Sequence, residues 1–233
     1  AENIKILAKA EPLTINFKDL KLSLPLLLDY RPLTLRNEKI KSIFKIEEEV
    51  IFSFRKTLKD LGFTEFESPM IVPTTAEGGA EVFHIDYYNH DAYLAQSPQL
   101  YKQIMLGAFE RVFTVTHVFR AEPSVTTRHL SEFISLDAEM GFIDSWQELM
   151  DTCEIVMRAV FSDIGKIGAT LPKLTEKIPR LKMREAQEII FQRRGRDNRK
   201  EDDLSPEDEK EICDFAKEKY GSELIFITHY PTK

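Results

Sequence analysis

The residues between positions 110 and 142 are arranged as if to hold a polyphosphate. Arg120 ends one alternating apolar run, and Glu122, Arg128 and His129 follow in a polar loop. A second run then carries Ser135, Asp137 and Glu139 on one face and Ile134, Leu136, Ala138 and Met140 on the other, because successive strand side chains point to opposite faces. Two arginines and a histidine flanking a loop suit phosphate oxygens, which guanidinium forks match in geometry and charge. From spacing alone, a surface hairpin with charged rims reads equally well. Ser97-Pro98 opens a helix, with a hydroxyl cap and then a residue that needs no donor. Lys102 falls in the first turn of that helix, where a cation opposes the dipole at a cost of roughly 0.3–1 kcal/mol. A nearby carboxylate would offset that cost, although a solvent-facing lysine is the commoner arrangement. Gln99, three residues earlier, projects beside it. Glu77 precedes Gly78-Gly79. Adjacent glycines suggest a mobile loop, and an acid there could close over an ammonium group, although flexible-loop acids are commoner still.

The elements that must position these residues follow from periodicity and caps. Residues 4–8 read as a short strand and 9–32 as a Pro- and Leu-rich connector. Asn37 offers an N-cap for a long helix over 40–61, closed by Gly62. A strand over 63–66 then ends before Pro69. Residues 93–95 predict a short strand, and the Ser97-Pro98 helix runs to about 109. Strands over 111–120 and 132–142 flank the polar loop. Ser145 and Glu148 form a capping box for a helix to about 161. Residues 162–179 read as irregular, 182–193 as a helix, 205–220 as a helix with a second Ser-Pro start, and 223–228 as an apolar strand. Strand pairs beside helices, without regular β-α-β alternation, predict an α+β fold with a mainly antiparallel sheet flanked by helices.

Composition sets outer bounds. The 233 residues are 42% hydrophobic and 30% charged, with a net charge of −7. That balance gives no global signal for nucleic-acid binding, so an RNA partner would need local basic groups. The basic run 193–200 passes straight into acidic 201–211 and reads as a solvated connector. No apolar run approaches the ~20 residues of a membrane helix, and positions 1–10 lack a signal-like stretch; a cytosolic protein is expected. Cys153 and Cys213 read as buried thiols, with neither a disulfide nor a zinc site implied. His84, His90, His117 and His229 have no metal-ligand spacing.

Taken together, these pieces resemble the class II aminoacyl-tRNA synthetases. Gly62-Phe63-Thr64-Glu65-Phe66-Glu67-Ser68-Pro69 after a long helix is similar to motif 1, which in that family builds a homodimer interface with the proline at the contact. Phe119-Arg120-Ala121-Glu122, with Arg128-His129-Leu130 and Glu132-Phe133, is similar to motif 2. Within the class, Ala76-Glu77-Gly78-Gly79 and Gln96-Ser97-Pro98-Gln99-Leu100-Tyr101-Lys102-Gln103 resemble the aspartyl branch in its archaeal-like, non-discriminating form.

The resemblance implies a division of labour. Glu77, Gln99, Lys102, Arg120 and Asp137 would bind L-aspartate. Arg120, the catalytic residue, would also meet the α-phosphate of ATP, with Glu122, Arg128, His129 and Leu130 completing the ATP site. Pro69 would lie at the dimer contact. The implied chemistry is two-step: attack of the aspartate carboxylate on ATP, with Mg²⁺ assisting, then transfer to tRNA(Asp) and, in the non-discriminating type, to tRNA(Asn). Lys102 favours aspartate over asparagine, because only the former needs a cation. The chain departs from the pattern at both ends. Residues 1–32 are expected to be a barrel remnant plus connector, and 33–233 a partial catalytic domain with motifs 1 and 2 but no motif 3. On that reading the fold is incomplete at its C-terminus, and the chain alone is inactive or nearly so. A non-catalytic dimerisation module and a stand-alone asparagine synthetase-like ligase are the alternatives.

Overall fold

A polar side chain, a long apolar stripe and a glycine shape the first long helix. The computed structural model describes residues 3–16, 18, 21–74, 81–123 and 129–231. In it the Asn37 side chain accepts from the Lys39 N–H at 3.0 Å and starts α3 (Glu38–Asp60). This helix buries Phe54 and Leu58, and Phe54 meets Phe113 edge-on at 5.9 Å. Gly62 follows at φ +82°, a left-handed conformation that a side chain would strain. The chain then turns into β1 (Thr64–Glu65).

The chain divides into two compact units, Ala1–Asp144 and Ser145–Lys233; the boundary expected at 32/33 lies inside the first. Besides α3 and β1, the first unit holds α1 (Leu24–Asp29), α2 (Arg31–Thr34), β2 (Ile71–Val72), β3 (His84–Tyr87), β4 (His90–Leu94), α4 (Gln99–Leu106), β5 (Arg111–Phe119) and β6 (Glu132–Met140). Its main sheet has the order β1-β5-β6. β1 runs parallel to β5, and β5 pairs antiparallel with β6 from Arg111↔Met140 to Phe119↔Glu132. A second, antiparallel sheet has the order β2-β4-β3.

Several expectations are corrected here. Residues 4–8 form no strand: Ile4, Ile6 and Leu7 are 85%, 74% and 87% exposed, and among the described residues no strand pairs with them. The Pro- and Leu-rich connector contains α1 and α2, each with a proline in its first positions, where a missing N–H costs nothing. The strand expected at 93–95 is longer and is half of a hairpin, β3–β4, turned by Tyr88 and Asn89 at φ +52° and +63°. Helix α4 ends at Leu106, before the expected 109.

The second unit contains α5 (Trp146–Lys166), β7 (Arg180–Lys182), α6 (Met183–Arg194), α7 (Pro206–Tyr220) and β8 (Phe226–Thr228). Met183, Ala186, Ile190, Leu204 and Ile212 form its core, with Ile189, Ile225 and Ile227 packed against them. The Ser145 N–H donates to Glu148 Oε1 at 3.1 Å, as the capping box predicts. Helix α5 continues five residues past the expected 161, and β7, which no expectation named, fills 180–182, taking the first residue of the helix expected at 182–193 and pairing parallel with β8. Cys153 and Cys213 are exposed rather than buried; Cys213 sits next to core Ile212, whose side chain takes the inward direction on α7.

Candidate functional site

The β5–β6 hairpin has two unlike faces. Opposed pairs Thr116↔Ser135, Thr114↔Asp137 and Val112↔Glu139 share one face, and the Phe113 face meets α3. Lys102 of α4 reaches the first face and is only 7% exposed. Its ammonium pairs with Asp137 Oδ1 and, at 3.4 Å, with Glu139 Oε2. Asp137 Oδ2 accepts from the Ser135 hydroxyl at 3.0 Å. The solvent-facing alternative for Lys102 is thus overturned, and the cation that opposes its helix dipole is compensated by two carboxylates from the neighbouring strand. Ser135 and Glu139 were legible as members of this face, yet no role was assigned to them from the sequence.

Arg120 follows β5 on the same side. Its backbone N–H donates to the Ser131 carbonyl at 3.0 Å, and its guanidinium lies 5.5 Å from the Phe133 ring centre. Its Nε is buried with no partner among the described residues. An unused charged donor of this kind fits a phosphate or carboxylate ligand. Glu122 and His129 stand 3.7 Å apart, with side chains 33% and 42% exposed. Gln99 is half-buried at the start of α4, where its N–H donates to Ser97 Oγ at 3.2 Å.

Backbone bonds tie these pieces together. The Phe119 N–H donates to the Ala95 carbonyl at 2.9 Å. The Glu81 carbonyl accepts both the Ala121 N–H at 2.9 Å and Gln96 Nε2 at 3.4 Å. Sequence reasoning missed Glu81, since a carbonyl leaves no side-chain signal.

Other expected residues are placed differently. Leu130 is 64% exposed and lines an open cleft with Ile134, Leu136, Val50 and Ile51, on the α3 side of β6. Pro69 is exposed between β1 and β2. Glu77 and Arg128 lie outside the described residues. Among the described residues, no group of three or more His, Cys, Asp or Glu side chains could hold a metal ion, and no helix is long and apolar enough to cross a membrane.

Buried charge in the second unit is of another kind. Glu154, also 7% exposed, accepts at one oxygen from Arg158 Nε at 3.0 Å, Arg158 Nη2 at 2.5 Å and the Ile178 N–H at 3.0 Å. Burial pushes its carboxyl up, but the Arg158 and Ile178 bonds and the charges of Arg158 and Arg180 outweigh that and hold it below the ordinary range. Asp208 is fully buried. Burial raises its carboxyl too, and bonds from Asn198 and Ser205 together with the Arg196 charge bring it below the ordinary range. Three arginines of the basic run are ion-paired: Arg193 with Glu218 at 2.8 Å, Arg196 with Glu201 at 2.9 Å and Arg199 with Asp197 at 2.9 Å.

Residues 23–233 match the family described as tRNA synthetases class II (D, K and N), and the chain belongs to that family. An aspartate–tRNA(Asp/Asn) ligase of Deinococcus radiodurans is 39% identical over 98% of this chain and 54% of its own length. The enzyme of the same name from Thermus thermophilus is 40% identical, over 99% of this chain and 57% of its own. Among solved structures, the asparaginyl-tRNA synthetase of Pyrococcus horikoshii complexed with asparaginyl-adenylate superposes with a TM-score of 0.82 at 29% identity, over 99% of this chain and 54% of that one. The aspartyl-tRNA synthetase of Entamoeba histolytica superposes at 0.75 and 30% identity, over 92% and 43%. The expected α+β class II synthetase-like fold is therefore present, and the chain spans about half the length of the curated relatives it matches.

Proposed function

We propose that this chain is the amino-acid- and ATP-binding portion of an aspartate–tRNA ligase. The observation that carries the reading is Lys102, a buried ammonium held between Asp137 and Glu139 on the open face of the hairpin. A side-chain carboxylate on the substrate would be met by this cation as an ion pair, whereas an amide oxygen would accept only a weaker hydrogen bond. Breaking a buried ion pair by removing one partner costs about 3–5 kcal/mol, enough for more than a hundredfold discrimination.

Arg120 would bridge the aspartate carboxylate and the α-phosphate of ATP, and its unpartnered Nε supports that assignment. Gln99, Glu77 and Asp137 would hold the rest of the amino acid, with Asp137 turned toward its ammonium group. Glu122, Arg128, His129 and Leu130 would attend ATP, whose phosphates would carry Mg²⁺. The acceptors would be tRNA(Asp) and, as in the relatives named for both, tRNA(Asn). Homodimerisation through Pro69, a cytoplasmic location and the division at 32/33 belong to the same reading. The complete two-step reaction is assigned to a protein of the relatives' length.

Calorimetry of the chain with L-aspartate and L-asparagine tests the core of this. Saturable binding that prefers aspartate is expected; a preference for asparagine, or no binding of either, would sink it. Aspartate-dependent ATP–pyrophosphate exchange by the 233 residues alone, at the rate of a whole relative, would overturn the assignment to the longer protein.

A further inference from the structure

Asp137 is held at both oxygens. Its Oδ1 accepts from the Lys102 ammonium, and its Oδ2 accepts from the Ser135 hydroxyl at 3.0 Å. Ser135 lies two residues before Asp137 on β6, so the two side chains share a strand face. Ladder pairing with Thr116 and Thr114 fixes both backbone positions, and Ser135 is half-buried there. A serine hydroxyl has a single proton to give, and here it goes to Asp137.

A carboxylate held at one oxygen still turns. The torsion that carries the carboxyl group of an aspartate is broad and two-fold, so a donor at one oxygen leaves the other free to swing. Lys102 alone would be such a donor, and its ammonium also answers Glu139 at 3.4 Å. A second donor, mounted on the same strand and reaching the other oxygen, sets the carboxylate plane. Two hydrogen bonds use only two of the roughly four lone-pair sites of a carboxylate, which leaves acceptor capacity for a ligand.

Under the proposed function, on which this argument rests, Asp137 turns toward the ammonium group of the amino acid. We infer that Ser135 is a positioning residue for that contact. Its hydroxyl orients the Asp137 carboxylate before the ligand arrives, so the ammonium meets an acceptor already in place. Preorganisation of this kind strengthens binding by reducing the ordering that binding must impose. It acts on the ammonium of the ligand, whose two carboxylates are assigned to Lys102 and Arg120.

Succinate separates these contributions, since it carries both carboxylates of L-aspartate and no ammonium. In calorimetry, Ser135→Ala should raise the Kd for L-aspartate about fivefold, the scale of one hydrogen bond, and that for succinate by less than about twofold. Ser135→Thr keeps the hydroxyl and should restore the wild-type ratio of the two constants. Ser135→Cys, a weaker donor of similar size, serves if alanine is not accommodated. A site that is merely distorted binds both ligands more weakly by the same factor. That result, or a ratio that Ser135→Thr does not restore, would overturn the inference. A wild-type chain that prefers L-aspartate to L-asparagine, with the aspartate-to-succinate ratio unaltered in Ser135→Ala, speaks against the inference alone. A wild-type chain with no preference for L-aspartate speaks against the functional reading, and the inference goes with it.

Discussion

Lys102 and Glu154 are equally buried, each 7% exposed, but their surroundings differ. Every bond to Glu154 comes from a fixed donor: the guanidinium of Arg158 one turn along α5, and the backbone N–H of Ile178. Arg158 is itself pinned, donating to the Thr175 carbonyl at 2.7 Å. Lys102 instead meets two carboxylates whose side chains are 21% exposed, on the strand face that also carries the Thr114 hydroxyl, without a partner among the described residues. Burial of a charge therefore does not separate a staple from a site. The immediate partners do differ: Arg158 is tied both to Glu154 and to the Thr175 carbonyl, whereas the Lys102 ammonium is held only by two carboxylates. Unpartnered buried atoms do not by themselves mark a site, since Arg180 Nε, Asn198 Oδ1 and Asp208 Oδ1 of the second unit also lack partners among the described residues.

The largest expected effect is at Lys102. Lys102→Met should weaken L-aspartate binding by roughly a hundredfold or more in calorimetry, and a loss below about tenfold would break the contrast. Next comes Glu154. Glu154→Ala should cost about 3 kcal/mol in urea denaturation, because it leaves the Arg158 charge unpaired, while aspartate affinity stays as it was. A shift in affinity there would mean that the staple is part of the site.

The same carboxyl predicts a pH response. A carboxyl held below its ordinary value stabilises the folded state above that value, here 4.5 for Glu154 and 3.8 for Asp208. The contribution fades as pH falls through the lower folded values. Stability should therefore drop in acid, and Glu154→Gln should shrink the drop, as circular dichroism during acid titration would report. The smallest effect belongs to the exposed pair Lys56–Asp60, with side chains 60% and 63% exposed. Lys56→Ala should change stability by under about 0.5 kcal/mol; a larger loss would show that exposure is a poor guide to these pairs.

The parts of the fold that were legible are those decided locally. Asn37, the Ser145/Glu148 box and Ser205-Pro206 announce helix starts because unpaired N–H groups need acceptors within a few residues. The alternation in β6 separated Asp137 from Leu136 before any contact was known. What stayed hidden depends on distant chain. β7 exists by pairing with β8, and Thr228 reaches the Leu181 carbonyl across 47 positions. β3 alternates Ile85 and Tyr87 with His84 and Asp86 over only four residues, too short a run to stand out, and is held by β4. For the site, the oddness of a cation in the first turn of α4 was visible, but the depth of Lys102 was not. Leu130 was grouped with its loop neighbours, although it lines the cleft on the α3 side of β6.

The Glu81 carbonyl accepts from both Ala121 and Gln96, one donor next to Arg120 in sequence and the other at the approach to the lysine helix. This knot is made of peptide oxygen, so it is indifferent to which side chain stands at position 81. A survey of substitutions would find position 81 permissive and conclude that nothing happens there. Proline at 121, which deletes one of the two donors without touching any charged group, would reveal the junction that such a survey passes over.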